Sequence, residues 1–204
     1  MTLVKICGLM AAEHVDAAVQ HGADFIGFVF APSRREVTLQ QATALAQSIP
    51  SHVKKVGVFV NESAERIREI AAAVPLDYVQ YHGDEPQSLI DAVGYPAIKA
   101  FSVTCAADVQ QAATYTVDYY LFDAPGTDFR GGSGHMFNWS LLSDAGINMD
   151  NVILAGGLHA ENVRDAIRDV QPHGIDVSSG VETNKIKDSL KIRAFLQAAK
   201  GAHV

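Results

Sequence analysis

Lys55-Val56-Gly57-Val58-Phe59-Val60, followed by Ile67, Ile70, Ala71 and Val74, contains one complete unit of the fold. The first six residues form a short apolar run of the kind found in parallel strands buried on both faces. The four that follow stand at i, i+3, i+4 and i+7, a stripe that buries one face of a helix. The same change of period recurs along the chain. Further strands are expected at Leu3–Ile6, Phe25–Phe30, Tyr78–Gln80, Ala97–Phe101, Tyr119–Phe122, Val152–Leu154 and Gly174–Val177. Helical stripes recur at Ala42, Leu45, Ala46, Ile49, at Val163, Ala166, Ile167, Val170, and at Ile192, Phe195, Leu196, Ala199. Thr38 and Ser63 are placed to cap helices, and Asp84 precedes Glu85-Pro86 at another helix start. The shortest expected helix, Phe137–Asp144, follows the sixth strand.

Alternating units of this kind predict a parallel α/β sheet. Eight of them, with no linker long enough to divide the chain, favour a single-domain (β/α)8 (TIM) barrel over residues 1–204. An open doubly wound sheet is the alternative, because periodicity does not order the strands.

Composition narrows the function. A 204-residue chain with 48% apolar and 19% charged residues can bury a core without disulfides or metals. The net charge of −7, with no cluster of Lys or Arg, gives no footprint for nucleic acid. Two cysteines, Cys7 and Cys105, argue against a secreted disulfide framework, although a bond between them stays open. There is no signal-like leader, and no run reaches the roughly 18 apolar residues of a membrane span. A cytoplasmic monomer is expected, with a small molecule as its partner.

Barrels of this kind carry their sites at the carboxyl ends of the strands. There stand Cys7-Gly8, Ser33-Arg34-Arg35, Asn61, His82-Gly83, Asp123, Arg130-Gly131-Gly132-Ser133-Gly134, Gly156-Gly157 and Ser178-Ser179-Gly180. Singly, each has a plain structural reading. A lone Cys is usually buried filler, an Asp before Pro-Gly a turn residue, paired arginines solvated, glycine loops tight turns. Together on one rim, a thiol, a guanidinium, an imidazole, a carboxylate and three glycine loops point to an active site. Gly156, Gly157, Ser179 and Gly180 follow strands seven and eight, where backbone amides and helix N-termini can hold a phosphate without any lysine.

Ordered strings then carry a family resemblance. Lys5-Ile6-Cys7-Gly8-Leu9, Gly27-Phe28-Val29-Phe30 with Ser33-Arg34-Arg35, and Val56-Gly57-Val58-Phe59-Val60-Asn61 come first. Val79-Gln80-Tyr81-His82-Gly83, Phe122-Asp123, Gly131-Gly132-Ser133-Gly134 and Phe137-Asn138-Trp139 follow. Ala155-Gly156-Gly157-Leu158 with Glu161-Asn162-Val163, and Asp176-Val177-Ser178-Ser179-Gly180-Val181-Glu182, complete the series. From about residue 3 to residue 200 the chain resembles the phosphoribosylanthranilate isomerases of tryptophan biosynthesis.

The resemblance implies an isomerase without cofactor or metal that performs an Amadori rearrangement of N-(5-phospho-β-D-ribosyl)anthranilate. It makes Cys7 the general base, Asp123 the general acid, Arg35 the contact for the anthranilate carboxylate, and the seventh and eighth loops the phosphate site. His82 is a second candidate for the carboxylate and for the acid. A positive group near Cys7 is expected to favour thiolate, and partial burial is expected for Asp123. The resemblance departs at Thr183-Asn184-Lys185-Ile186, where family sequences often carry Pro-Gly, and Asn184 is expected to supply the turn. Another sugar-phosphate barrel, such as an epimerase or an indole-glycerol phosphate synthase, would explain the glycine loops but not Cys7 with Asp123. A non-catalytic phosphate-binding module would leave both without a role.

Overall fold

The computed structural model describes residues 2–125, 138–144 and 148–201. Strands β1 (Leu3–Cys7), β2 (Phe25–Val29), β3 (Lys54–Phe59), β4 (Tyr78–Tyr81), β5 (Ala97–Ser102), β6 (Tyr119–Asp123), β7 (Val152–Leu154) and β8 (Gly174–Val177) pair in parallel, in chain order. β8 returns to β1 with Leu3 opposite Gly174 and Ile6 opposite Val177, so the barrel is closed and the open sheet is excluded. Helices α1 (Ala12–Gln20), α2 (Leu39–Ala46), α3 (Ala64–Ala73), α4 (Gln87–Val93), α5 (Ala106–Gln111), α6 (Ser140–Asp144), α7 (Val163–Val170) and α8 (Ser189–Lys200) follow the strands in turn. The expected strands are within a residue or so of these bounds. The loop string Arg130–Gly134 and the expected helix start at Phe137 lie outside the described residues.

The ladder fixes which side chains enter the barrel. Lys5 is in register with Phe25 and Asp176, Gly27 with Val56, Val58 with Gln80, Ile98 with Tyr119, and Leu121 with Ile153. In-register neighbours share a face. Phe25, Val56, Ile98, Ala100, Leu121, Ile153 and Ala155 accordingly form an inner cluster. The alternate residues, among them Ile6, Phe28, Val79, Phe122 and Ile175, belong to the larger core beneath the helices. The stripes on α3, α7 and α8 are buried as expected, through Ile67 and Ile70, Val163 and Ile167, and Phe195 and Leu196. Ile49, the last member of the α2 stripe, is buried from a turn beyond that helix.

Capping follows the expectation at two of three places. Thr38 and Gln41 make a reciprocal box at α2, and Ser63 Oγ accepts from Arg66 N at α3. Asp84 does not cap α4. That helix starts with Pro86 at its N-cap and no side-chain bond, while the Asp84 amide donates to Asn61 Oδ1. Glu85 is instead drawn inward: it is buried, accepts from the amides of Asn61 and Gly83, and pairs with Lys99 at 3.3 Å. Both cysteines are free, Cys7 buried and Cys105 exposed. After β8 the chain forms a two-residue hairpin between β9 (Glu182–Thr183) and β10 (Ile186–Lys187). Asn184 (φ 51°) supplies the expected left-handed turn, and Lys185 (φ 67°) joins it, as a type I′ connection requires.

A repeated dipeptide closes the amino-terminal end. Asp24-Phe25, Asp77-Tyr78 and Asp118-Tyr119 open the even strands β2, β4 and β6. Each Asp accepts the first free backbone amide of the preceding odd strand: Val4 at 2.7 Å, Lys55 at 2.8 Å and Ala97 at 2.8 Å. Each aromatic ring points inward, and the three pack together with centroids 5.7 to 6.0 Å apart. Two edge-to-face pairs and one tilted pair thus fill the base of the barrel. Asp77 also lies within 3.5 Å of Lys54 and Lys55. Asp77→Ala should therefore cost about 1.5–3 kcal/mol in urea unfolding, the worth of a hydrogen bond to a charged acceptor. An unchanged midpoint and slope would show that the clamp contributes nothing.

Candidate functional site

Alternation along the strands brings Cys7, His82, Asp123 and Ser178 to the carboxyl-terminal mouth. Asp123 closes β6 with 5% of its surface exposed, as a carboxyl group kept from water should be. His82 follows β4, and its Nε2 lies 3.8 Å from Asp123 Oδ2. Gln80, two residues earlier on the same inward face, holds the ring by a 2.9 Å contact to Nδ1. The imidazole is thus placed beside the acid candidate.

Cys7 ends β1 with a charged pair directly beneath it. Lys5, fully buried, binds Asp176 of β8 at 3.0 Å, and its positive charge bears on the Cys7 thiol. Gly27 on β2 is required by this packing. A Cβ there would stand 2.9 Å from Cys7 Sγ and 3.2 Å from Lys5 Nζ. Burial works against the Lys5 ammonium, yet Asp176 and Cys7 outweigh it and leave its pKa above the ordinary lysine value. For Cys7, burial pushes the thiol up and Lys5 pulls it down without cancelling the rise. The cation expected near Cys7 is present and acts in the expected direction, towards thiolate, while burial opposes it more strongly.

Arg35 is not solvated. Its stem crosses Gly8 (φ 76°), where a Cβ would come within 2.6 Å of Arg35 Cδ, so Gly8 is needed both for its turn and for this crossing. The guanidinium is gripped by Glu182: Nε donates to Oε1 at 2.6 Å and Nη2 to Oε2 at 3.2 Å. Arg34 Nη2 reaches the same Oε2 at 2.9 Å, and Lys187 Nζ lies 3.0 Å from Oε1. Burial alone would raise the Glu182 pKa, but bonds to Arg35 and Lys187 bring it down to about 2. Burial lowers Lys187 to about 8 despite Glu182. Lys187 also donates to Ser178 O (2.6 Å) and Oγ (3.1 Å), and Ser178 Oγ donates to Cys7 O at 3.2 Å. A continuous polar chain therefore runs from the Arg35 loop to the end of β1.

The seventh and eighth loops touch. Gly156 (φ 86°) and Gly157 (φ 63°) take left-handed conformations in succession, and Asn162 ties them to α7 by donating to Gly157 O at 3.0 Å. A Cβ on Gly180 would fall 1.9 Å from Leu158 O, so only glycine lets the short 3-10 turn Ser179–Val181 lie against the seventh loop. Consecutive amides in such turns form a concavity suited to an oxyanion.

Lys5, Gln80, Asp176, Glu182 and Lys187 were not singled out from the sequence. The first three carried a usable signal, because Lys5, Gln80 and Asp176 stand two residues before Cys7, His82 and Ser178 and share their face. Glu182 and Lys187 owe their places to the hairpin, whose geometry strand periodicity does not report.

Fold and mouth together define a (β/α)8-barrel enzyme. The chain belongs to the N-(5'-phosphoribosyl)anthranilate isomerase family, whose model matches residues 4–198. The isomerase of Listeria welshimeri is 48% identical over 199 residues, 98% of each chain. That of Bacillus cereus is 47% identical over 198 residues, 97% of this chain and 98% of the relative. The crystal structure of the Thermotoga maritima enzyme superposes with a TM-score of 0.90 at 39% identity, covering 98% of this chain and 100% of that one. Another isomerase structure, in complex with reduced 1-(o-carboxyphenylamino)-1-deoxyribulose 5-phosphate, gives 0.87 at 38% identity with the same coverage.

The Lys5–Cys7 contact can be tested without substrate. In a Cys105→Ser background, Lys5→Met removes the charge that opposes burial, so the Cys7 thiolate fraction at neutral pH falls. Alkylation of Cys7 by iodoacetamide should slow about tenfold, with its pH profile displaced upward. An unshifted profile would leave Lys5 a purely structural partner of Asp176.

Proposed function

We propose that the chain converts N-(5-phospho-β-D-ribosyl)anthranilate to 1-(2-carboxyphenylamino)-1-deoxy-D-ribulose 5-phosphate, an Amadori rearrangement in tryptophan biosynthesis, with residues 1–204 acting as one catalytic domain. The observation that carries the assignment of roles is the placement of Cys7 and Asp123 at one mouth, on strands three apart around the ring, both shielded from water. A sugar seated between them has a proton donor on one side and a proton acceptor on the other.

Asp123 gives a proton to the ribose ring oxygen, the furanose opens, and a protonated Schiff base forms. That cation acidifies the C2′ hydrogen, which Cys7 removes as thiolate to give an enolamine. Tautomerisation of the enolamine yields the ketone. Cys7 acts through the share of molecules that has already lost the thiol proton to solvent; Lys5 raises that share against burial, and the Schiff-base cation beside it stabilises the thiolate further. Arg35 takes the anthranilate carboxylate, with His82 steadying Asp123. Gly156, Gly157, Ser179 and Gly180 take the phosphate. The relative crystallised with the reduced reaction product supports a phosphorylated small molecule of this shape. Relatives of this identity and coverage leave the epimerase, indole-glycerol phosphate synthase and non-catalytic readings without support.

Among the described residues no helix is long and apolar enough to cross a membrane. Large apolar side chains exposed among them are Met10, Ile186 and Leu190, few enough to favour a monomer. A single species at the mass of one chain is expected in sedimentation, and a stable dimer at micromolar concentration would refute it.

Turnover of the anthranilate riboside tests the activity. Cys7→Ser and Asp123→Asn should each lower kcat by about a hundredfold to ten-thousandfold, the range of a lost general base or acid, with binding of the reduced product analogue near normal. Either variant retaining activity within tenfold of the parent would remove that residue from its role.

A further inference from the structure

Arg35 carries its own carboxylate. Three cations, Arg34, Arg35 and Lys187, converge on the single carboxylate of Glu182, whose side chain is 5% exposed. Glu182 is anchored in turn: its backbone oxygen accepts from Lys191 Nζ at 2.7 Å, and β10 pairs Lys187 directly opposite it. The cluster therefore has more positive than negative charge, and its one anion is held by all three cations on a backbone fixed by the hairpin.

A guanidinium has two edges able to grip a carboxylate with paired N–H groups, one formed by Nε and Nη2 and one by Nη1 and Nη2. Glu182 occupies the first, at 2.6 and 3.2 Å. The crossing over Gly8 fixes the stem beside the residue that follows Cys7. With stem and one edge both held, the plane of the fork is set, and the second edge is the one left to meet a ligand. We propose that Glu182 is a positioning residue: it locks the Nε–Nη2 edge of Arg35 so that the Nη1–Nη2 edge receives the substrate carboxylate, and it stays in place when substrate binds. The surplus positive charge of the cluster is then balanced by the substrate rather than by an exchange of carboxylates.

This rests on the reading of Arg35 as the carboxylate contact, and the two can fail separately. KM and kcat are measured for the anthranilate riboside and for its carboxamide analogue, in the parent, Arg35→Ala, Glu182→Gln and the double variant. Glu182→Gln keeps the shape but weakens the grip. It should raise KM for the carboxylate about tenfold with kcat within about twofold, and leave KM for the carboxamide unchanged. Glu182→Asp, one methylene shorter, should shift the same KM in the same direction by less, and it carries the test if the Gln variant is unstable. The double variant should be no worse than Arg35→Ala, because the two act through one contact. If Arg35→Ala loses the distinction between the two substrates but Glu182→Gln keeps it, the Arg35 reading stands and the positioning role is overturned. A lower KM in Glu182→Gln also overturns it, showing a competitor that substrate must displace. An equal rise for both substrates overturns it in favour of hairpin support. If Arg35→Ala itself leaves the distinction intact, both readings fall.

Discussion

Closure of the parallel ladder is the constraint on which the rest depends. Once β8 pairs with β1, no strand can slip by one residue without turning its inward set outward on both neighbours at once. One parity of residues is committed to the interior all the way round, and its charged and amide members gather at the carboxyl-terminal mouth and in the layer beneath it. Lys5 lies under Cys7, Gln80 under His82 and Asp176 under Ser178 because two residues is one full repeat of a strand. The site is thus less a collection of loops than the top layer of the barrel, supported by a polar layer of the same parity.

The buried charge pairs around the mouth are expensive in free energy. Lys5 with Asp176, Lys99 with Glu85, and Lys187 with Glu182 are all largely removed from water, and desolvating such charges offsets much of their attraction. Apolar residues of the same volume would hold the barrel together at least as well. What the pairs supply is charge at fixed points: a cation against a thiol, a carboxylate against a guanidinium, and, at Lys99, an anchor for the carbonyls that end β4. A site that moves protons between weak acids needs those points set before substrate arrives.

Much of this was legible in the sequence. Short apolar runs exchanging with helical stripes gave the barrel, because parallel strands covered on both faces and helices covered on one leave different periods. Cys7, Arg35, His82 and Asp123 could be named because each ends or follows a strand. The helper residues were overlooked for a reason in the same physics: treating strands as uniformly buried runs hides their two faces, so Lys5 and Asp176 read as strand filler. Asp84 misled because an Asp before a helix ordinarily caps it; here Pro86 takes that position and the adjacent Glu85 turns inward to Lys99. The Glu182 cluster joins positions 147 residues apart in sequence and arises only when the hairpin folds back on the second loop.

The aspartate clamps also show where the barrel is jointed. Each ties an even strand to the odd strand before it, so β1–β2, β3–β4 and β5–β6 are stitched by side chain as well as ladder, while β2–β3 and β4–β5 are not stitched in this way. At β8 no aspartate takes part; the amide of Leu3 donates to the backbone oxygen of His173, joining the last strand to the first. The grain of the molecule is therefore a strand pair with its helices, repeated with one variant that closes the ring. Chain ends moved to a seam between pairs would leave every stitch within one continuous segment. Modules lifted at those seams would carry their own base with them. A barrel with such joints is one that can be assembled, or shuffled, two strands at a time.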